Sequence, residues 1–272
     1  MVCGAMNGVN TCVHAIRKRL QNQLAHPPHF RHTPGMPTKR RPNQLRPVKI
    51  TRNYPSAAPG SVLIQMGDTR VICTASISQT PPNWLPKDPE TGAFTAGWVT
   101  AEYNMMPGST PDRIRRGPNS RATEIQRLIG RSLRAAVDLE KMPGVAITCD
   151  CDVLVADGGT RTAAITGAFV ALSDAISQAR SLGLITKNPI LGPIAAISVG
   201  IIDGQPCLDL DYPLDSRADV DMNVVMNHRG HFVEVQGTGE QTTFTRKQLD
   251  ALLALAARGI RQLIKTQRTA LR

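Results

Sequence analysis

Gly158-Gly159-Thr160-Arg161-Thr162 separates a β-rich apolar run, 145–155, from a long helical pattern, 162–180. Two glycines in that position make a tight turn that opens onto a helix start. The first N–H groups there have no intrahelical acceptor and the helix dipole is positive, so an anion such as phosphate is favoured. Arg161 adds a forked, permanently charged donor that suits phosphate oxygens. No lysine follows the glycines, so this is not the nucleotide-binding P-loop. Taken alone, the five residues are read at least as well as an ordinary strand-to-helix turn with a solvated arginine.

Upstream of the turn, 48–52, 61–66 and 70–78 alternate as strands, the last two joined by Gly67-Asp68-Thr69 as a hairpin. A proline-rich stretch, 79–97, reads as a long loop, 98–103 as a short strand, and 106–120 as a second long loop carrying Arg113, Arg115 and Arg116. Loops of that length inside a compact domain are usually functional. The pattern over 121–141 predicts a helix with Ile125, Leu128, Ile129, Leu133, Ala136 and Val137 on one face. Arg127, Arg131, Arg134 and Asp138 fall on the opposite, solvated face, whereas the angle of Arg121 points it inward, where an arginine needs an anion.

Downstream, the helix after the glycine turn is expected to bury Ala164, Ile165, Ala168, Phe169 and Leu172. Strands follow at 193–202 and 205–211, joined by Asp203-Gly204, and at 219–226 and 231–236. A last helix opens at Thr245 with Gln248 three residues on, a capping box, and buries Leu249, Leu252, Leu253, Ala256, Ile260 and Leu263. Strands gather at both ends with helices between them and without sustained β-α-β alternation. That argues an α+β fold, a single two-layer domain of mixed sheets and helices.

The 272 residues are 41% hydrophobic, enough for a sizeable core, and no run reaches the ~18 to 20 apolar residues of a membrane span. Six cysteines without C-x-x-C spacing read as buried free thiols in a reducing cytoplasm rather than as zinc ligands or disulfides. The net charge of +11 is uneven. Residues 1–67 hold ten Lys or Arg and no acid, while the other 22 basic residues stand against all 21 acidic ones. Residues 1–40 are therefore read as a basic, disordered extension: a nucleic-acid-binding arm, a bystander tail, a transit peptide, or the product of a start codon upstream of Met36. Residues 41–272 form the globular body.

A second constellation is acidic. Asp209, Asp211, Asp215, Asp219 and Asp221 lie within thirteen residues. Period-two alternation puts Asp219, Asp221 and Asn223 on one face and Val220, Met222 and Val224 on the core face. Clustered carboxylates suit Mg²⁺ or Mn²⁺, or are simply a solvated face paired with arginines such as Arg217. An anion site beside a hard-cation site is what phosphoryl transfer requires. The body has only His228 and His231, read as surface turn residues, which argues against a Ser-His-Asp or Cys-His triad. Gly237-Thr238-Gly239 lacks a third glycine and a following helix, so it reads as a structural turn.

At this point the residues match a family. Gly97-Trp98-Val99-Thr100-Ala101-Glu102-Tyr103, the stretch 124–131, Cys149-Asp150-Cys151-Asp152-Val153, 156–162, 195–200, Val220-Asp221-Met222-Asn223-Val224 and 233–240 occur in one order over roughly 41–263. In these stretches the chain resembles the ribonuclease PH family. The resemblance implies the α+β fold shared with polynucleotide phosphorylase and the exosome ring, and a phosphate-dependent 3′-to-5′ exoribonuclease, or tRNA nucleotidyltransferase, that trims tRNA precursors. It implies a phosphate site at Arg121, Gly159, Thr160 and Arg161, metal-binding and catalytic aspartates at Asp215 and Asp221, and catalytic help from Arg161. Inorganic phosphate is then co-substrate and Mg²⁺ or Mn²⁺ the metal. Arg113, Arg115 and Arg116 take the RNA-gripping role, and the expected assembly is a homohexamer, a trimer of dimers. The competing reading is a non-catalytic RNA-binding ring subunit. Such subunits tend to lose the arginines or aspartates that this chain keeps. Departures from the family pattern are the proline-bearing loop at 107–120, Gly108 where an arginine is common, a longer loop at 82–97, and Arg217 between the two aspartates, expected to pair with Asp219 or lean into the metal site.

Overall fold

The computed structural model describes residues 40–117, 119–240 and 242–272. The expectations for the basic arm before residue 40, and for Pro118, lie outside the described residues. Residues 41–272 form one compact unit.

The first sheet has the order β1-β2-β3-β5-β4, with β1 (Val48–Arg52), β2 (Gly60–Met66), β3 (Thr69–Ser78), β4 (Trp98–Met105) and β5 (Ala146–Val155). The second has the order β7-β6-β8-β9, with β6 (Ile194–Ile202), β7 (Gln205–Leu208), β8 (Val220–Asn227) and β9 (Phe232–Gly239). Every pairing is antiparallel except β4 with β5, which run parallel. Parallel neighbours need a crossover, and helix α1 (Ser120–Arg134) supplies it. The three predicted hairpins hold, the third being β8 paired with β9. Met66 pairs with Thr69 around Gly67 at φ +59°, and Ile202 pairs with Gln205 around Asp203 and Gly204 at +51° and +75°.

Helix α2 (Thr160–Ser181) packs against strands of both sheets. Over 162–173 it is buried on every side, beyond the five residues expected: Ala163, Val170 and Ala171 join the predicted core residues, as do Ala175, Ile176 and Ala179 farther along. Small residues make this approach feasible. A Cβ on Gly167 would stand 2.7 Å from Ile64 and 2.9 Å from the Cys73 sulfur. Helix α4 (Arg246–Ala270) opens with the predicted Thr245–Gln248 capping box. Its fully buried Gln267 donates to the Thr166 and Ile194 carbonyls at 2.9 Å each, tying α4 to α2 and β6.

Several boundaries differ from the sequence reading. The helix expected over 121–141 ends at Arg134; a 3₁₀ turn, Leu139–Lys141, follows separately. Val137 sustains the helical period but is buried because it bridges Ile190, so packing here mimics periodicity. Arg134 is not merely solvated: its guanidinium donates to the Val99 carbonyl at 2.9 Å and stands 4.4 Å over the Trp98 ring. Strand β7 stops at Leu208 because Asp209 takes a left-handed φ of +58°. Gly237-Thr238-Gly239 is no turn but the end of β9, paired with Met222, Asp221 and Val220. His228 is half-buried against Gly192 rather than lying at the surface. Cys73, Cys149, Cys151 and Cys207 are buried free thiols.

Candidate active site

The glycine turn sits between β5 and α2, and its conformation demands glycine. Gly158 and Gly159 have φ of +70° and +64°, and a Cβ on Gly158 would lie 2.5 Å from the Leu210 carbonyl oxygen. The helix begins at Thr160, two residues earlier than expected, with Gly159 as N-cap and no side chain capping the end. The first-turn N–H groups of α2 are thus open to an anion.

A buried scaffold fixes the turn. Arg46, 6% exposed, donates to the carbonyls of Asp157 and Gly158 and pairs at 2.6 Å with Asp209, which is 0% exposed. Thr69, also fully buried, donates to the Gly158 carbonyl at 2.7 Å and accepts from the Asp157 N–H at 3.0 Å. Arg46 was read merely as one charge of the basic front of the chain. Its partners lie more than a hundred residues away, so no local signal marks it.

Arg161 projects from the same turn and donates to Gln236 Oε1 on β9 at 2.8 Å, with Glu124 at 3.9 Å. Gln236 in turn donates to Glu124 at 3.1 Å, so β9 and α1 together hold this guanidinium. Thr160 is buried and accepts a hydrogen bond from the Tyr103 hydroxyl at 2.8 Å. Neither Gln236, Glu124 nor Tyr103 was singled out from sequence, although all three lie within the quoted motif stretches.

Arg121 is exposed rather than turned inward. It is the second residue of α1, where no preceding turn exists to bury it against, and its N–H is capped by Asn119 at 2.9 Å. Its charge nevertheless acts on Asp215 and Tyr103, as does that of Arg161. The two arginines therefore bear on one locality.

The acidic cluster divides. Asp209 is the buried partner of Arg46, and Asp211 caps the one-turn helix α3 (Tyr212–Asp215), accepting from the Leu214 N–H at 3.2 Å. Neither belongs to an acidic sheet face. Asp215 closes α3, and Asp221 lies on β8 with Val220, Met222 and Val224 buried beside it as predicted. Loss of water raises the Asp215 pKa, opposed by Arg121 and Arg161. Burial, then repulsion from Asp215, pushes Asp221 up to about 6, against the pull of Arg161. Glu240, which sequence reading quoted in a motif but gave no role, adds repulsion to both. Arg217 is exposed and forms no ion pair with Asp219 among the described residues.

Asp221 Oδ1 is buried without a hydrogen-bond partner. A carboxylate oxygen left so, beside a second carboxylate, fits a hard cation, and two carboxylates plus waters are what Mg²⁺ usually takes. No group of three or more metal-ligating side chains occurs among the described residues. Arg113, Arg115 and Arg116 lie exposed on the loop that leads from β4 into α1.

Residues 44–177 match the model of domain 1 of the 3′ exoribonuclease family, and residues 192–259 match domain 2. The chain belongs to this family. Ribonuclease PH of Corynebacterium efficiens is 55% identical over 234 residues, covering 84% of this chain and 93% of the relative. Ribonuclease PH of Corynebacterium glutamicum is 53% identical over the same length and coverage. Among solved structures, the Archaeoglobus fulgidus exosome with RNA bound to its active site superposes with a TM-score of 0.71 at 21% identity, covering 94% of this chain and 98% of that one. Rice Rrp46 gives 0.68 at 20% identity, covering 86% and 98%. At such identities these structures speak for the fold, which is α+β.

Proposed function

We propose that this chain is a phosphorolytic 3′-to-5′ exoribonuclease that trims extra 3′ nucleotides from tRNA precursors and other structured RNA ends. The observation that carries the reading is the open N-terminus of α2, with Arg161 rising from its first turn and acting on Asp221, whose buried oxygen lacks a partner. Family membership and the ribonuclease PH relatives support the same activity.

In this reading orthophosphate is held by the N–H groups of Thr160 and Arg161 and by the guanidinium groups of Arg121 and Arg161. One of its oxygens attacks the terminal phosphorus of the RNA, and the bond from that phosphorus to the preceding 3′-oxygen breaks. The 3′-oxygen leaves with the proton that the attacking hydrogen phosphate gives up, and a nucleoside 5′-diphosphate is released; the reverse reaction adds a nucleotide. Arg121 and Arg161 neutralise charge that grows on the phosphoryl oxygens, which is where most catalysis of phosphoryl transfer arises. Asp215 and Asp221 would hold Mg²⁺ or Mn²⁺, which when bound supplies further charge neutralisation on the same oxygens. Arg113, Arg115 and Arg116 grip the RNA backbone through its phosphates. The catalytic unit is assigned to residues 41–272, working in the cytoplasm as a homohexamer.

The deciding experiment incubates the protein with a tRNA that carries extra 3′ nucleotides. Nucleoside diphosphates should appear in proportion to added phosphate. Nucleoside monophosphates, or release that ignores phosphate, would contradict the proposal.

A further inference from the structure

The three threonines that open α2 bond their hydroxyls differently. Thr162 donates to the Gly159 carbonyl at 2.9 Å, and Thr166 to the Thr162 carbonyl at 2.8 Å. That is the usual back-bonding of threonine inside a helix. Thr160 has no such bond; its oxygen accepts the Tyr103 O–H at 2.8 Å. A hydroxyl owns one hydrogen and two lone pairs. With a lone pair engaged by Tyr103, Thr160 still has its hydrogen to give, and no protein acceptor takes it among the described residues.

Tyr103 arrives here because β4 alternates. Val99, Ala101 and Tyr103 face the core, and the register on β5 sets Tyr103 beside Cys151. The contact is enclosed, with Tyr103 and Thr160 being 5% and 9% exposed. The hydroxyl ends where the charges of Arg121 and Arg161 both reach. Burial raises the phenol pKa above its ordinary value, so the group keeps its proton and goes on donating at neutral pH.

We propose that Tyr103 is a positioning residue for the phosphate site: its O–H occupies the Thr160 oxygen and so commits the Thr160 hydrogen to the bound anion. Without that donor, the Thr160 hydroxyl is free to turn its hydrogen back into the protein and present a lone pair to phosphate. A hydrogen bond would then become a repulsion. The inference rests on the phosphorolytic reading above and names the groups that set its affinity for phosphate.

The test is a phosphate titration of nucleoside-diphosphate release by wild type, Tyr103→Phe, Thr160→Val, Thr160→Ser and the Tyr103→Phe/Thr160→Val pair. Tyr103→Phe and Thr160→Val should each raise the KM for phosphate about tenfold, the scale of one hydrogen bond to a charged group. The loss should fall on the phosphate KM far more than on the KM for RNA or on kcat at saturating phosphate. Thr160→Ser, which keeps the hydroxyl, should raise the phosphate KM less than Thr160→Val does, and the double variant should be no worse than either single one, since both remove the same bond. A loss confined to kcat, an unchanged phosphate KM in Tyr103→Phe, or full additivity in the pair would overturn the role. If Tyr103→Phe fails to fold, Thr160→Val still decides, because an unchanged phosphate KM there leaves Tyr103 nothing to orient. Wild-type turnover that ignores phosphate sinks the phosphorolytic reading instead; turnover that saturates with phosphate while Tyr103→Phe matches it sinks only this inference.

Discussion

Replacing Asp221 by asparagine should make the protein more stable and inactive at once. Burial and the charges of Asp215 and Glu240 raise this carboxyl from 3.8 to about 6. Between those values the folded state binds more protons than the unfolded one, so stability is lost as pH rises through the window, and above about pH 6 the whole penalty stands. A shift of two units corresponds to about 3 kcal/mol at most. Asparagine keeps the size and removes the charge, so in chelator at pH 7.5 the variant should gain about 1 to 3 kcal/mol. For a domain of this length that is a rise in Tm of roughly 2 to 10 °C. The gain should fall to about half at pH 5 and toward nothing at pH 4, where the wild-type carboxyl is itself protonated. Thermal melts of both proteins across pH 4 to 8 measure this directly. Mg²⁺ should raise the wild-type Tm and leave that of the variant unmoved, and phosphorolysis should fall about a hundredfold or more. A difference in Tm that does not change with pH, or a variant less stable than wild type at pH 7.5, refutes the reasoning.

Arg161→Ala removes a charged donor from the attacked centre, and single-turnover rates at saturating phosphate should drop about a hundredfold; near-normal rates exclude it from the site. Arg46→Met takes the guanidinium away from the buried Asp209 carboxylate and leaves it the residue 46 N–H, so urea unfolding should show a loss of about 3 kcal/mol, with phosphate binding impaired in whatever fraction folds. Changing Arg113, Arg115 and Arg116 together to alanine should weaken RNA binding and lower the slope of log K against log salt by about 2, while turnover at saturating RNA stays close to wild type; an unaltered slope would show that these side chains touch no RNA phosphate.

What the sequence disclosed, and what it hid, follow from the range of the interactions concerned. Period-two alternation predicted the buried Val220, Met222 and Val224, and the Asp203-Gly204 pair predicted its hairpin, because each is set by neighbours in the chain. The turn at Gly158 and Gly159 was legible for the same reason: positive φ leaves a glycine signature. Helix α2 was visible as a helix but not as a shared core, since alanines and glycine at its contacts look neutral until two sheets are seen to close on them. Val137 shows the converse, a buried residue whose spacing imitates a helix that has already ended.

Most of what escaped is the support beneath the site. Arg46 is 163 residues from Asp209 and Tyr103 is 57 from Thr160, and each looks ordinary where it stands in the chain. Only the fold tells that one arginine lies in the acid-free front of the chain by sequence and under the glycine turn in space. The division has a physical basis. Groups that meet a ligand must be of particular chemical types, so their types betray them. Groups that hold those in place need only reach, and reach is a property of three dimensions. The Asp cluster illustrates both halves: five carboxylates within thirteen residues suggested a cation, but which of them face it was decided by Asp209 turning in to meet Arg46 and Asp211 capping a helix too short for a periodicity reading to detect. Subtracting those two leaves Asp215, Asp219 and Asp221, of which Asp215 repels the buried Asp221, and it is this repulsion, together with the unpartnered oxygen, that makes a bound cation the physically economical occupant.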